Sequence, residues 1–359
     1  MNIHKIYIGL SVIAFTLMVI CACTSKTPGK YSEKLGSTSD VVHFNEMVDS
    51  VVLIRVQEDS TTVLGTISKI EVGDGDFYAL NQQHNTIVRI DSLGNCQSQL
   101  RNIGKSKTEY IRIADFSIDN ELGILVLLCD FTKVIYYDLN FNLLKVDILD
   151  VPLYRICLWE GNLYGYTTED NSIVRIDNHR VQKIIETDKI PFWIYSQTPV
   201  FHKTGGKLLA TLECDNKIYE INNNKTKEIL TFTYDNYEEI RQKYMNPPKS
   251  HTKTSLYEET PLRVQYLILK NDKLLMIYSK DMLVRIAVFN FKNKSIVRDG
   301  IFIGSPSPLW NTSNASLAFS FETGNSLPVD SSYIHKIIEM NNYKDIGPII
   351  IKYKITIVR

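Results

Sequence analysis

The chain has 359 residues, with 40 Lys and Arg against 40 Asp and Glu, and 44% of it is apolar. A balanced charge gives no general electrostatic case for nucleic acid or an anionic membrane surface. Six Cys without a Cys-x-x-Cys leave zinc and redox motifs unsupported.

The first 22 residues read as a targeting segment. His4 and Lys5 make a short polar start, and 6–20 is nearly all apolar. Ile20-Cys21-Ala22-Cys23 then resembles a bacterial lipobox with Cys23 as the lipidated residue; a plain secretory signal is the alternative. No later segment is long and apolar enough to span a bilayer. Residues 24–39 are rich in Ser, Thr, Lys and Gly and read as a tether. The expected organisation is a signal peptide over 1–22, a tether over 23–45 and one domain over 46–359.

That domain repeats. Ile87-Val88-Arg89-Ile90-Asp91 returns as Val134-Ile135-Tyr136-Tyr137-Asp138, Ile173-Val174-Arg175-Ile176-Asp177, Ile218-Tyr219-Glu220-Ile221-Asn222 and Ile286-Ala287-Val288-Phe289-Asn290. The terminal Asp and Asn residues are 47, 39, 45 and 68 apart. A period of about 40–50 residues built from strands is that of a β-propeller blade. Blades are expected at 67–100, 113–149, 153–186, 201–234 and 264–300, with an irregular sixth whose clearest strands are 316–321 and 348–355. The first turns read Gly73-Asp74-Gly75-Asp76, Asn120-Glu121-Leu122-Gly123, Glu160-Gly161-Asn162, Gly205-Gly206 and Asn271-Asp272. The first of these is a hairpin turn rather than a calcium loop, because Gly and Asp supply positive φ. The second turns read His84-Asn85, Cys129-Asp130, Asp170-Asn171, Asp215-Asn216 and Lys280-Asp281. The expected fold is all-β, a six-bladed propeller of four-stranded antiparallel blades. Val51-Val52-Leu53-Ile54-Arg55-Val56 has no blade of its own, so it is expected to close the ring as the outermost strand of blade 6. Cys96, Cys129, Cys157 and Cys214 fall in different blades; buried small hydrophobes are expected rather than disulfides.

Several segments carry a family resemblance: Ile67-Ser68-Lys69-Ile70, Phe77-Tyr78-Ala79-Leu80, Val88-Arg89-Ile90-Asp91, Asp115-Phe116-Ser117-Ile118-Asp119 and Pro348-Ile349-Ile350-Ile351-Lys352-Tyr353-Lys354. The chain resembles the six-bladed, TolB-like propeller lipoproteins of Bacteroidota over 51–355. Gly104-Lys105-Ser106-Lys107-Thr108-Glu109-Tyr110 stands where that family more often has Gly-Pro-Gly-Glu-Tyr. The resemblance implies fold and envelope location far more than activity. Asp49-Ser50-Val51, Asp59-Ser60-Thr61 and Asp91-Ser92-Leu93 also resemble Bacteroidota O-glycosylation acceptors, with Ser60 the best placed.

Strand alternation puts the second turns and the blade-to-blade links on one end of the ring. The long excursions 101–112, 235–263 and 322–347 all fall there, the second with a helix-like start at 237–244 and the third with Ile334, Ile337 and Ile338 at helical spacing. Long loops gathered on one rim of a rigid scaffold carry function. The innermost strands start on that end with Lys69, Arg112, Arg155, His202, Arg263 and Trp310. They are the expected ligand-binding residues of a channel mouth suited to a peptide carboxylate, an acidic glycan or a phosphate, with Arg as a bidentate partner. The alternative is a set of ordinary solvated residues, since a slip of one position reverses the face. His335 and Glu339 lie four apart without a third ligand and read as a surface pair, so no metal and no cofactor is expected. No catalytic residue is assigned.

The function read from these features is an exported, lipid-anchored, non-catalytic module that binds an envelope protein, a peptide or a glycan at the long-loop face. The alternatives are a hydrolase or lyase at the channel mouth and a scaffold for an envelope complex. Thr24, rather than Asp, after Cys23 points to the outer membrane facing the periplasm, with surface display as the other placement.

Overall fold

Left-handed backbone positions mark out the blades. The structure is a computed structural model that describes residues 32–58, 62–177, 179–189, 199–223, 225–246, 261–281, 283–303, 310–311, 317–322 and 348–357. In the first turns Asp74 and Gly75 stand at φ +49° and +84°, Glu160 and Gly161 at +48° and +73°, and Gly205 and Gly206 at +58° and +69°. Paired positive φ values build two-residue hairpins whose twist matches the flanking strands. The second turns hold Asn85, Asp130, Asn171 and Asp281 at positive φ, where short polar side chains are best tolerated. In blade 4 the residue is Cys214, one before the Asp215-Asn216 pair.

The repeated closing Asp or Asn also has a physical role. Asp91 Oδ1 accepts the Leu93 and Asn95 amides at 2.9 and 2.8 Å. Asp138 Oδ1 accepts those of Asn140 and Asn142 at 2.9 and 2.8 Å, and Asn290 Oδ1 those of Lys292 and Asn293 at 2.9 and 3.2 Å. Each side chain holds the turn into the outermost strand, so the repeat seen in sequence is a repeat of turn chemistry.

Six sheets result. Blade 1 comprises Ile67–Gly73, Asp76–Asn81, Thr86–Ile90 and Cys96–Leu100 from the inside outward. Blade 2 comprises Ile113–Asp119, Ile124–Cys129, Lys133–Asp138 and Leu143–Ile148. Blade 3 comprises Arg155–Trp159, Asn162–Thr167, Ser172–Asp177 and Arg180–Glu186. Blade 4 comprises Phe201–Thr204, Lys207–Ala210, Lys217–Asn222 and Lys225–Tyr234. Blade 5 comprises Arg263–Lys270, Lys273–Lys280, Leu283–Asn290 and Ser295–Ile303. Blade 6 comprises Trp310–Asn311, Leu317–Glu322 and Ile349–Ile355, with Val48–Arg55 outermost and antiparallel to Ile349–Ile355. The N-terminal strand closes the ring, as the unpaired apolar run required.

The core is a set of layers between blades rather than one centre. In Ile124–Cys129, Leu125, Leu127 and Cys129 pack toward blade 1, while Val126 and Leu128 pack toward blade 3. Both faces of the strand are buried, so it reads as a continuous apolar run although its side chains alternate. Equivalent layers lie between every neighbouring pair of blades, the last formed by Ile54, Val56 and Ile350 of blade 6 against Ile67, Ile70 and Phe77 of blade 1. The Cys residues follow the same logic: Cys129, Cys157 and Cys214 are buried in three different layers, Cys96 is half-buried, and none of the four is in a disulfide among the described residues.

The segment before Val48 corrects the sequence reading. A tether was expected through residue 45, yet Ser32–Leu35 runs parallel to the outermost strand of blade 4, and Val41–His43 runs parallel to that of blade 5. A 3-10 turn, Phe44–Met47, leads into the closing strand. Val42, Phe44 and Met47 are buried between blades 5 and 6, Phe44 lying edge-on to Phe302 and Tyr353 with centroids 5.8 and 5.1 Å apart. The polar composition hides a belt that turns Leu35, Val42, Phe44 and Met47 inward and leaves Val41 exposed. It is pinned by Asp299, whose Oδ2 accepts the Gly36 amide at 2.9 Å and whose carbonyl accepts the Thr38 hydroxyl at 2.7 Å.

Of the long excursions, 101–112 is described throughout and 235–263 in part. Within 101–112, Tyr110 is fully buried and its hydroxyl donates to backbone carbonyls of blade 1, with Asn85 O 3.2 Å and Leu100 O 3.3 Å away. The departed Gly104–Tyr110 loop is thus a wedge between blades 1 and 2. The second holds the helix Tyr237–Met245, which packs Ile240 and Tyr244 onto the layer between blades 4 and 5. The helix expected near 334–338, with His335 and Glu339, lies outside the described residues. No helix among the described residues is long and apolar enough to cross a membrane.

Candidate functional site

The innermost strand of a blade has a hydrogen-bonded neighbour on one side only, so its other edge presents backbone groups to the channel. Side chains of the preceding blade satisfy many of them. Asp115 Oδ2, Ser117 Oγ and Asp119 Oδ2 of blade 2 accept the amides of Ile156, Leu158 and Gly161 of blade 3, each at 2.9 Å. Glu71 Oε2 of blade 1 accepts the Ile118 amide at 2.9 Å, and Thr204 Oγ1 of blade 4 accepts that of Leu269 at 2.9 Å. Positions 115, 117 and 119 share one face because strand side chains alternate with period two.

Two lysines complete this polar lining. Lys69 Nζ lies 3.0 Å from both Glu71 Oε1 and Asp115 Oδ1. Lys203 Nζ reaches Glu71 Oε2 at 3.0 Å, Ser117 Oγ at 3.0 Å and the Ile118 carbonyl at 2.6 Å. Burial works against the charge on Lys69, but Asp115 and Glu71 outweigh it and hold its pKa above the ordinary lysine value. Burial likewise works against ionised Glu71, and the ammonium groups of Lys203 and Lys69 with the Ile118 amide hold its carboxyl below the usual value. The four charges cancel within the channel.

The channel encloses a cavity of about 650 Å³, within the size range of small-molecule sites. Its two ends differ. Arg112, Phe131, Tyr154 and Arg155 line the end where the innermost strands start, and Asp119, Trp159, Glu160 and Glu121 line the other. At the first end the Arg112 guanidinium sits over the Phe131 ring at 5.9 Å, and the Phe131 and Tyr154 rings lie 5.0 Å apart at 38°. Arg155 Nη1 donates to the Tyr154 carbonyl at 2.8 Å. Neither arginine is ion-paired with a carboxylate among the described residues. Phe131 stands at φ +64°, a conformation that costs a bulky side chain energy. Backbone strain of this kind concentrates at functional sites.

The structure brings four of the six residues read from sequence, Lys69, Arg112, Arg155 and His202, onto this one cavity. Arg112 and Arg155 stand at its mouth. Lys69 lies deeper and is engaged by two carboxylates, Glu71 two positions along the same face of its strand and Asp115 of blade 2. His202 is fully buried, its Nε2 3.4 Å from Thr211 Oγ1, and burial pushes its pKa down to about 3, so the ring is neutral. Arg263 Nε faces Glu213 Oε2 at 3.7 Å. Trp310 is placed on the innermost strand of blade 6, opposite Phe319. Cys23 and Ser60 lie outside the described residues. Among the described residues no cluster of three metal-ligating side chains forms.

Sequence reasoning missed Phe131, Tyr154, Glu71 and Lys203. Two signals were present: polar residues at 115, 117 and 119 inside an otherwise apolar strand, and an aromatic residue directly after the turn residue Asp130.

The fold and its polar channel define a six-bladed propeller with a closed ring and one arginine-rich mouth. Residues 33–299 match the family DUF5128, described as a 6-bladed beta-propeller, and the chain belongs to that family. No curated protein matches it. Among solved structures it is similar to a Bacteroides fragilis protein described as exported, with a TM-score of 0.67 at 15% identity over 91% of this chain and 100% of that one. It is also similar to a member of the DUF4221 family from Bacteroides vulgatus, with a TM-score of 0.51 at 9% identity over 86% and 97% of the two chains. At such identities the likeness is one of fold.

Proposed function

We propose that this propeller is a non-catalytic binding module of the cell envelope that takes an anionic ligand at the mouth formed by Arg112, Phe131, Tyr154 and Arg155. The observation that carries this reading is the pair of arginines, without carboxylate partners among the described residues, beside two tilted aromatic rings in contact. Arginine pairs bidentately with carboxylate or phosphate, and an aromatic face supplies apolar contact. Binding is favoured over hydrolysis or lysis by the state of the channel carboxylates. Both oxygens of Glu71 and both of Asp115 already accept hydrogen bonds or ion pairs, which leaves neither of these two ready as a general base.

Location belongs to the same proposal. The lipobox-like Ile20-Cys21-Ala22-Cys23 supports lipid anchoring at Cys23, and the fold shared with a protein described as exported agrees with it. The TolB-like resemblance, an outer-membrane site facing the periplasm and an envelope protein, peptide or glycan as partner complete the reading. The test is capture from envelope extract by the chain from residue 24 onward, beside the double variant R112A/R155A. A species held by the parent and lost by a variant with the same thermal melt is the expected result. Equal retention by both would move the interface elsewhere.

A further inference from the structure

We infer that the ligand is an acidic saccharide, a compact sugar bearing a carboxylate, rather than a peptide strand; this rests on the binding reading above. Three features of the mouth point there. The first is asymmetry of function around the ring. Arg112 and Arg155 stand on the side of blades 2 and 3, while Ser68 and Gln82 of blade 1 and Gln265 of blade 5 line the same cavity. Ser68 is exposed and the two Gln are half-buried, and none of the three side chains has a hydrogen-bond partner among the described residues. A hydroxyl and two amides offer both donors and acceptors, which suits vicinal hydroxyls. Two of the three owe their place to bulges in the innermost strands, at Ser68 between Ile67 and Lys69 and at Gln265 between Val264 and Tyr266. Bulges re-aim side chains in this way.

The second feature is the aromatic wall. Phe131 and Tyr154 present a tilted pair between the arginines, and the C–H face of a sugar ring stacks on such a surface while its carboxylate faces the guanidinium groups. The third argues against a peptide. One mode by which an extended peptide binds is to add a strand to a free sheet edge. In this channel the edge amides of Ile118, Ile156, Leu158 and Leu269 are already taken by Glu71, Asp115, Ser117 and Thr204. Recognition must therefore run through side chains, which favours a compact polyhydroxylated ligand.

The test is isothermal titration of the chain from residue 24 onward with trigalacturonic acid, its methyl ester and an acidic pentapeptide. The expected result is saturable binding of the acid, at least tenfold weaker binding of the ester and none of the peptide. R112A/R155A should weaken the acid at least tenfold, and Gln82→Ala with Gln265→Ala should weaken it several-fold. The ester control needs no variant, so misfolding of a variant leaves the test intact. Peptide binding that depends on Arg112 and Arg155, with no binding of the acid, would overturn the saccharide class and leave the site reading standing. Binding of the acid that ignores R112A/R155A would overturn the site reading. Failure of all three probes to bind would overturn the saccharide inference.

Discussion

Lys203 of blade 4 meets Glu71 of blade 1 across the channel, Nζ to Oε2 3.0 Å. These two blades stand opposite one another in the ring, so the contact is a strut between its halves. Its partners are largely buried, with 15% and 14% of their side chains exposed. Removing one member of such a pair strands the other charge. Glu71→Ala is expected to cost about 3 kcal/mol in urea denaturation. The double variant E71A/K203M is expected to recover part of it, a coupling that a double-mutant cycle reads directly. Additive losses would mean the strut carries no energy. The sign with pH follows from the lowered carboxyl: the Glu71 contribution is complete above the ordinary value near 4.5 and is lost as pH falls through the folded value.

His202 predicts a second pH dependence. Its folded pKa lies near 3 and its ordinary value is 6.5, so between them the unfolded chain binds the extra proton. Unfolding free energy should therefore fall with decreasing pH across that window, by up to about 1.4 kcal/mol per unit from this residue. Denaturation of the parent and His202→Leu at pH 7, 6 and 5 checks it: the parent should lose more stability than the variant, and parallel losses would refute the assignment.

Ring closure can be tested at one glycine. Gly94 stands at φ +94°, its carbonyl accepts the Gln57 amide at 2.8 Å, and a Cβ there would collide with the Arg55 carbonyl. Gly94→Ala should cost about 2 kcal/mol through strain and a spoiled junction between the closing strand and blade 1. An unchanged thermal melt would show that the junction contributes nothing.

Much of this architecture was legible because its causes are local. Asp91, Asp138 and Asn290 cap their own turns, and Asn85, Asp130 and Asn171 adopt positive φ within theirs, so the chemistry recurs as a visible pattern. The closing strand was legible for a different reason: an apolar run with no partner must find an edge. The site was less so. Lys203 and Glu71 are 132 residues apart, and nothing near either one names its partner. Basic residues at strand starts could be read, but whether a carboxylate already holds them could not, which is why Lys69 and Arg112 looked alike. The belt over 32–47 was hidden by its polar composition.

Phe131 separates stability from function. Asn tolerates the left-handed conformation far better than Phe, so Phe131→Asn should leave the thermal melt unchanged or raise it, while ligand capture weakens several-fold. A variant that melts lower and binds as the parent does would assign Phe131 a packing role only.

The most direct test of the arginine mouth is phenylglyoxal labelling of the unaltered protein, read by mass spectrometry with and without the material it captures. Arg112 and Arg155 should label several-fold more slowly when ligand is bound, while Arg180, exposed on the outermost strand of blade 3, labels at the same rate. Equal labelling of Arg112 and Arg155 in both states would contradict a binding site at that mouth.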